Sequence, residues 1–241
     1  MTPPVLFSPG FMQPAEAWAP VAERLAPPTV LLDHREHTFE GRLGEIAAAG
    51  EGALLVGYSL GGRLALRAAL RDRARYAGLV TVGATAGIED PAQRAARAEA
   101  DDRLASWIEA APIDDVVALW ERQPLFADQA ETLVERQRPG RLAQDPAELA
   151  SLLRTAGQGV LEPVWHALLT LDLPLLAIAG SYDEGYAGAA RKIADTAPGA
   201  SAQIVEAAGH APQLQQPERV ATLVEEFRAG LALRGVGERQ Q

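Results

Sequence analysis

The sequence predicts an α/β fold: a mostly parallel sheet flanked by helices on both faces, with a large helical insertion. Three observations predict it. Short apolar runs bounded by turn residues recur along the 241 residues, helical patterns separate them, and the stretch 90–171 holds helical patterns alone. The runs "VLF" (5–7), "TVLLD" (29–33), "ALLVGY" (53–58), "AGLVTVG" (77–83), "LPLLAIAG" (173–180) and "AQIVEA" (202–207) read as buried strands. Between them Ala15–Leu25, Leu60–Leu70, Ala187–Thr196 and Pro217–Leu233 combine helical spacing with good helix formers. The insertion contains "DPAQRAARAEADDRLASWIEA", "IDDVVALWER", "DQAETLVERQR" and "DPAELASLLRTAG". Residues 1–89 and 172–241 are thus expected to form the core, and 90–171 a helical lid over the strands' carboxyl ends, where ligands bind in such sheets. The tail "RGVGERQQ" is expected to fray.

Composition narrows the function classes. A chain 48% hydrophobic and 22% charged is ordinary for a globular protein. The net charge of −10 disfavours nucleic acid and membrane surfaces as partners. With no cysteine there is no thiolate chemistry. The start "MTPPVLFSPGF" lacks the basic segment and apolar run of a signal peptide. A cytoplasmic protein, monomeric or homo-oligomeric, acting on a small molecule is expected. No metal-ligand spacing or G-x-G-x-x-G after a strand occurs, so neither metal nor organic cofactor is expected.

Gly57-Tyr58-Ser59-Leu60-Gly61 fits G-x-S-x-G between an apolar strand and an Ala/Leu-rich helix. In that setting the serine sits on a sharp turn, and side chains two residues either way would strike neighbouring backbone. A serine hydroxyl needs a base. His34 and His37 lie in the polar loop "DHREHTFEG" and are expected in solvent, and His166 is expected to be structural. His210, in "VEAAGHAPQ", has the loop position and chain order of the base. Asp183 in "AGSYDEGY" follows the preceding strand and is the candidate acid, with Glu184 the alternative. The amides of Leu60 and of Phe11, in "LFSPGFM", are the candidate oxyanion donors.

These features together resemble the α/β-hydrolase fold superfamily. Within it, "VGYSLGGRLAL", "DPAQRAARAEADDRLASWIE", "ALWERQPLF", "ELASLLRTAGQG" and "AGHAPQLQQPE" resemble the 2-succinyl-6-hydroxy-2,4-cyclohexadiene-1-carboxylate synthases of menaquinone biosynthesis. The resemblance implies elimination of pyruvate from a tricarboxylated cyclohexene, with the serine–histidine–aspartate set as base. It implies Arg63, Arg97 and Arg141 as carboxylate clamps, Tyr58 and Trp120 as pocket walls, and Gln123 as a further pocket residue. Arginine forks suit carboxylates, and an acidic chain binding a trianion needs them to converge locally. The chain departs from the pattern in four places. "SPGF" replaces His-Gly, "LDHREHTFEG" replaces D-x-P-G-H-G, Gly185 stands where a lysine is usual, and the first hairpin of the fold is missing. A serine hydrolase of small esters, lactones or thioesters is the alternative function. A haloperoxidase-like or carbon–carbon hydrolase and a non-catalytic binding module are further ones.

Overall fold

The computed structural model describes residues 2–237 and the side chains as far as Leu233. Six strands form one sheet: β1 (Val5–Ser8), β2 (Thr29–Leu31), β3 (Leu54–Tyr58), β4 (Gly78–Val82), β5 (Leu175–Gly180) and β6 (Ala200–Val205), in the spatial order β2-β1-β3-β4-β5-β6. Every pairing is parallel, with Phe7 opposite Val56 and Val82 opposite Ile178. Central strands β1, β3, β4 and β5 are buried throughout, which is why they read as uninterrupted apolar runs. The outer strands differ from expectation. β2 is half exposed and stops at Leu31, and β6 alternates half-buried and exposed residues as far as the buried Val205, because each has a neighbour on one side only.

The pleat sorts the core into two layers. Leu6, Leu55, Leu79 and Leu175 point to one face, under α2 (Phe39–Ala49), α3 (Leu60–Arg71) and α9 (Glu184–Thr196). Phe7, Val56, Val80 and Ile178 point to the other, under α1 (Ala19–Ala22) and α11 (Pro217–Gly237). The helix expected over Ala15–Leu25 is broken into a 3₁₀ turn, Ala15–Trp18, and the single turn α1, with Pro20 at the break. Helix α2 was not legible as a helix in the sequence; Thr38 caps it by accepting from the Gly41 amide. α11 continues to Gly237, and the rest of the tail expected to fray, 238–241, lies outside the described residues.

Between β4 and β5 the chain is helical, as expected: α4 (Pro91–Ala110), α5 (Ile113–Glu121), α6 (Glu131–Leu142), α7 (Pro146–Ala156) and α8 (Trp165–Leu168). Asp90 and Asp145 each cap a helix that begins with proline, α4 and α7. Ala105, Ile108, Val116, Val117, Leu149 and Leu153 give these helices a small apolar core that also takes in Met12. A short α10 (Pro212–Gln215) then leads into α11. Among the described residues no helix is long and apolar enough to cross a membrane.

Candidate active site

The site begins with a steric demand. Ser59 lies between β3 and α3 at φ 49°, ψ −108°, a backbone region that side chains rarely enter. Its N–H donates to the Val82 carbonyl at 2.8 Å, and its own carbonyl accepts from the Arg63 amide at 3.0 Å, so the turn is fixed from both sides. A Cβ on Gly57 would collide with the Gly61 carbonyl, and one on Gly61 with the Ser8 carbonyl. Only glycine lets α3 start this close to β1 and β3.

Parallel topology places the partners at the same sheet edge. His210 follows β6, and its Nε2 lies 3.2 Å from Ser59 Oγ. Its Nδ1 lies 2.7 Å from Asp183 Oδ2, and the other oxygen, Asp183 Oδ1, accepts from the Tyr186 amide at 3.2 Å while capping α9. Glu184 is exposed in the first turn of α9 and does not enter this chain of contacts. Tyr58, Phe126 and Tyr186 surround the imidazole, with ring centroids 5.4, 6.1 and 4.4 Å away. Leu60 opens α3, where the first amides have no intrahelical acceptor, and Phe11 N makes no hydrogen bond among the described residues.

Ser59 and His210 line a cavity of about 110 Å³ between the sheet edge and the helices above it. Phe11, Tyr58, Leu60, Arg63, Arg97, Trp120 and Gln123 also line it. Arg63 is buried on α3 and donates to the Ala156 carbonyl at 3.0 Å. Burial, reinforced by the Arg97 charge, lowers its pKa to about 10, so it stays protonated at neutral pH. Burial likewise pushes the Tyr58 phenol well above its usual range, keeping it neutral. Arg97 is half exposed on α4 and pairs with the buried Asp101 at 2.7 Å.

Arg141 departs from its expected place. It is not among the residues lining this cavity, and it is buried on α6 against Glu121 (3.0 Å) and Gln137 (2.9 Å). The carboxylate partner sits twenty residues earlier, on α5, where no local pattern reveals it. Asp101, Tyr186 and Gln158 line the cavity and were missed by sequence reasoning. Gln158 Nε2 donates to the Tyr186 hydroxyl at 2.5 Å, closing the wall beside His210. For Tyr186 the available signal was its place one helical turn after Asp183. At Gly185 a Cβ would meet only Asp183 Oδ1, at 3.8 Å, so the position is open.

The other histidines divide. His166 is exposed on α8, and His37 pairs with Glu148 at 3.1 Å at the surface. His34 is not in solvent, contrary to expectation: its side chain is only 2% exposed. Its Nε2 meets Ser8 Oγ at 3.0 Å and its Nδ1 meets Glu45 Oε2 at 2.7 Å. Burial, with the Arg42 charge second, lowers its pKa to about 4, so a neutral ring accepts from Ser8 and donates to Glu45. The two loops that depart from the family pattern, "SPGF" and "DHREH", are joined by this bond.

Comparison with known proteins agrees with the architecture. Residues 5–223 match the model of the alpha/beta hydrolase family. A putative 2-succinyl-6-hydroxy-2,4-cyclohexadiene-1-carboxylate synthase of Bacillus subtilis is 34% identical over 176 residues, 72% of this chain and 64% of that relative. The synthase of an Enterobacter species is 30% identical over 69% of this chain and 63% of its own length. The chain thus matches a little under two thirds of the length of these relatives. Among solved structures, MenH from S. aureus superposes with a TM-score of 0.86 at 24% identity, covering 96% of this chain and 95% of that one. A thermophilic esterase from Thermogutta terrifontis does so with 0.78 at 22% identity, covering 95% and 90%. At such identities these two likenesses speak for the fold alone. On the family model and the shared architecture, this chain belongs to the alpha/beta hydrolase family.

Proposed function

We propose that this protein eliminates pyruvate from a tricarboxylated cyclohexene in menaquinone biosynthesis, using Ser59, His210 and Asp183 to move the protons. The observation that carries the reading is the serine–histidine–aspartate chain opening onto a cavity lined by Arg63 from α3 and Arg97 from α4. The names of the relatives point the same way.

In this reading Asp183 holds the His210 Nδ1–H, so the Nε2 lone pair faces the Ser59 hydroxyl. His210 takes the hydroxyl proton as Ser59 Oγ takes a ring proton from the substrate. The ring double bond shifts, the carbon–oxygen bond to the enolpyruvyl group breaks, and the departing enolate takes the imidazolium proton to become pyruvate. Serine and histidine return to their starting states. The Leu60 and Phe11 amides steady the charge that develops on the succinyl carbonyl. Arg63 and Arg97 hold carboxylates, and Tyr58 and Trp120 form walls. Residues 90–171 act as the lid. Residues from α4, α5 and α7, among them Arg97, Trp120 and Leu153, form the side of the cavity away from the sheet.

The test is pyruvate release from the enolpyruvyl-bearing cyclohexene precursor by wild type and Ser59→Ala. Release that depends on Ser59 supports the reading, and release unchanged in the variant refutes it. The apolar part of the cavity wall, from Phe11, Leu104, Phe126 and Leu153, favours a second reading, a serine hydrolase of small esters in which Ser59 is acylated. Cleavage of a p-nitrophenyl ester without pyruvate release would select it.

A further inference from the structure

A second cavity, of about 420 Å³, lies beneath the loop that follows β2, between that loop and α7. Its lining is mostly polar and includes Gln13, His34, His37, Arg42, Gln144 and Glu148. Leu152 lines both this cavity and the one at Ser59.

Arg42 is the unusual member. Its side chain projects from α2 into the protein and the residue is 8% exposed, yet neither Nη has a hydrogen-bond partner among the described residues. Its Nε alone is satisfied, donating to the Glu36 carbonyl at 3.0 Å. The carboxylates around it are engaged elsewhere. Glu45 Oε1 accepts from the Arg35 and Glu36 amides at 2.7 and 3.0 Å, and Glu45 Oε2 meets His34. Glu148 pairs with His37, and Asp33 with Arg35. Both Nη groups are therefore free donors facing the cavity. The Gln13 side-chain oxygen accepts from the Gly10 amide, which leaves its NH₂ as a second donor at the wall.

We propose that this cavity is a second binding site, for a small monocarboxylate, with the Arg42 fork as its anchor. A planar fork whose two Nη groups are free matches a carboxylate through two parallel hydrogen bonds. The lining around that fork is polar, which suits a hydrophilic acid better than an acyl chain. The site is independent of the chemistry proposed at Ser59.

The test is a titration of the uniformly ¹⁵N-labelled full chain with sodium acetate, at ionic strength held constant with sodium chloride. The expected result is saturable shifts at Arg42, Arg35 and Gln13 that persist in Arg97→Gln and weaken at least tenfold in Arg42→Gln. Should Arg42→Gln fail to give a folded spectrum, Ala143→Glu is the second variant. It adds a negative charge at an exposed position on the cavity wall and should weaken binding at least fivefold. Absence of saturable shifts in wild type would overturn the proposal. So would shifts confined to the Ser59 cavity and lost in Arg97→Gln, or affinity unchanged in Ala143→Glu. Tighter binding of inorganic phosphate than of acetate at the same residues would overturn the carboxylate assignment.

Discussion

Two serine–histidine–carboxylate chains occur in this molecule, and their dimensions nearly coincide. Ser59–His210–Asp183 spans 3.2 and 2.7 Å; Ser8–His34–Glu45 spans 3.0 and 2.7 Å. What differs is everything around the distances. Ser59 stands on a strained turn at φ 49° and faces a cavity, whereas Ser8 ends an ordinary strand and is 3% exposed. His34 has its pKa lowered to about 4, which makes it a poor base near neutral pH. On the proposed function, the comparison teaches that hydrogen-bond lengths do not select the reactive serine; the strained turn and the cavity at Ser59 do. The second chain ties the end of β1, where the loop bearing Phe11 begins, to the middle of α2.

Removing each serine breaks the comparison most sharply. Ser59→Ala should lower turnover about 10³-fold or more, and Ser8→Ala no more than about threefold, as measured by steady-state kinetics on folded protein. A fluorophosphonate should label Ser59 and leave Ser8 unmodified in peptide mass spectra. Next in size is the cationic wall. Arg63→Ala should raise KM about 10²-fold for a carboxylated substrate and far less for a neutral ester, since a charge-assisted hydrogen bond is lost only in the first case. Equal effects on both substrates would make Arg63 a packing residue. Arg141, held by Glu121 away from the cavity lining, should behave oppositely: Arg141→Met should change thermal stability and leave KM within about twofold.

His34 affects stability and not turnover. Its folded pKa of about 4 lies below the ordinary 6.5, so the unfolded chain takes the proton first as pH falls. Stability from this group is therefore full above about pH 6.5 and declines toward pH 4, by up to roughly 3 kcal/mol. Denaturant unfolding across that window should show the slope in wild type and a flatter profile in His34→Gln. An unchanged slope would contradict the buried neutral histidine.

The two chains were unequally legible in the sequence. Gly57-x-Ser59-x-Gly61 announces itself because the turn has one steric solution, and the loops after β5 and β6 follow from chain order in a parallel sheet. His34 misleads because its neighbours Asp33, Arg35 and Glu36 are charged and exposed. What draws it inside is Glu45, eleven residues on, in a helix whose Gly- and Glu-containing sequence hides its periodicity. Arg141 misleads likewise, since a cation's direction depends on a partner in another helix. Local constraint is written in local sequence; pairing across elements is not.

The most direct test of the central claim is pyruvate release from the enolpyruvyl-bearing cyclohexene precursor, followed in wild type, Ser59→Ala and Ser8→Ala together. The account predicts rapid release in wild type and Ser8→Ala and its loss in Ser59→Ala. Ester cleavage by wild type with no pyruvate formed, or pyruvate release surviving in Ser59→Ala, would contradict it.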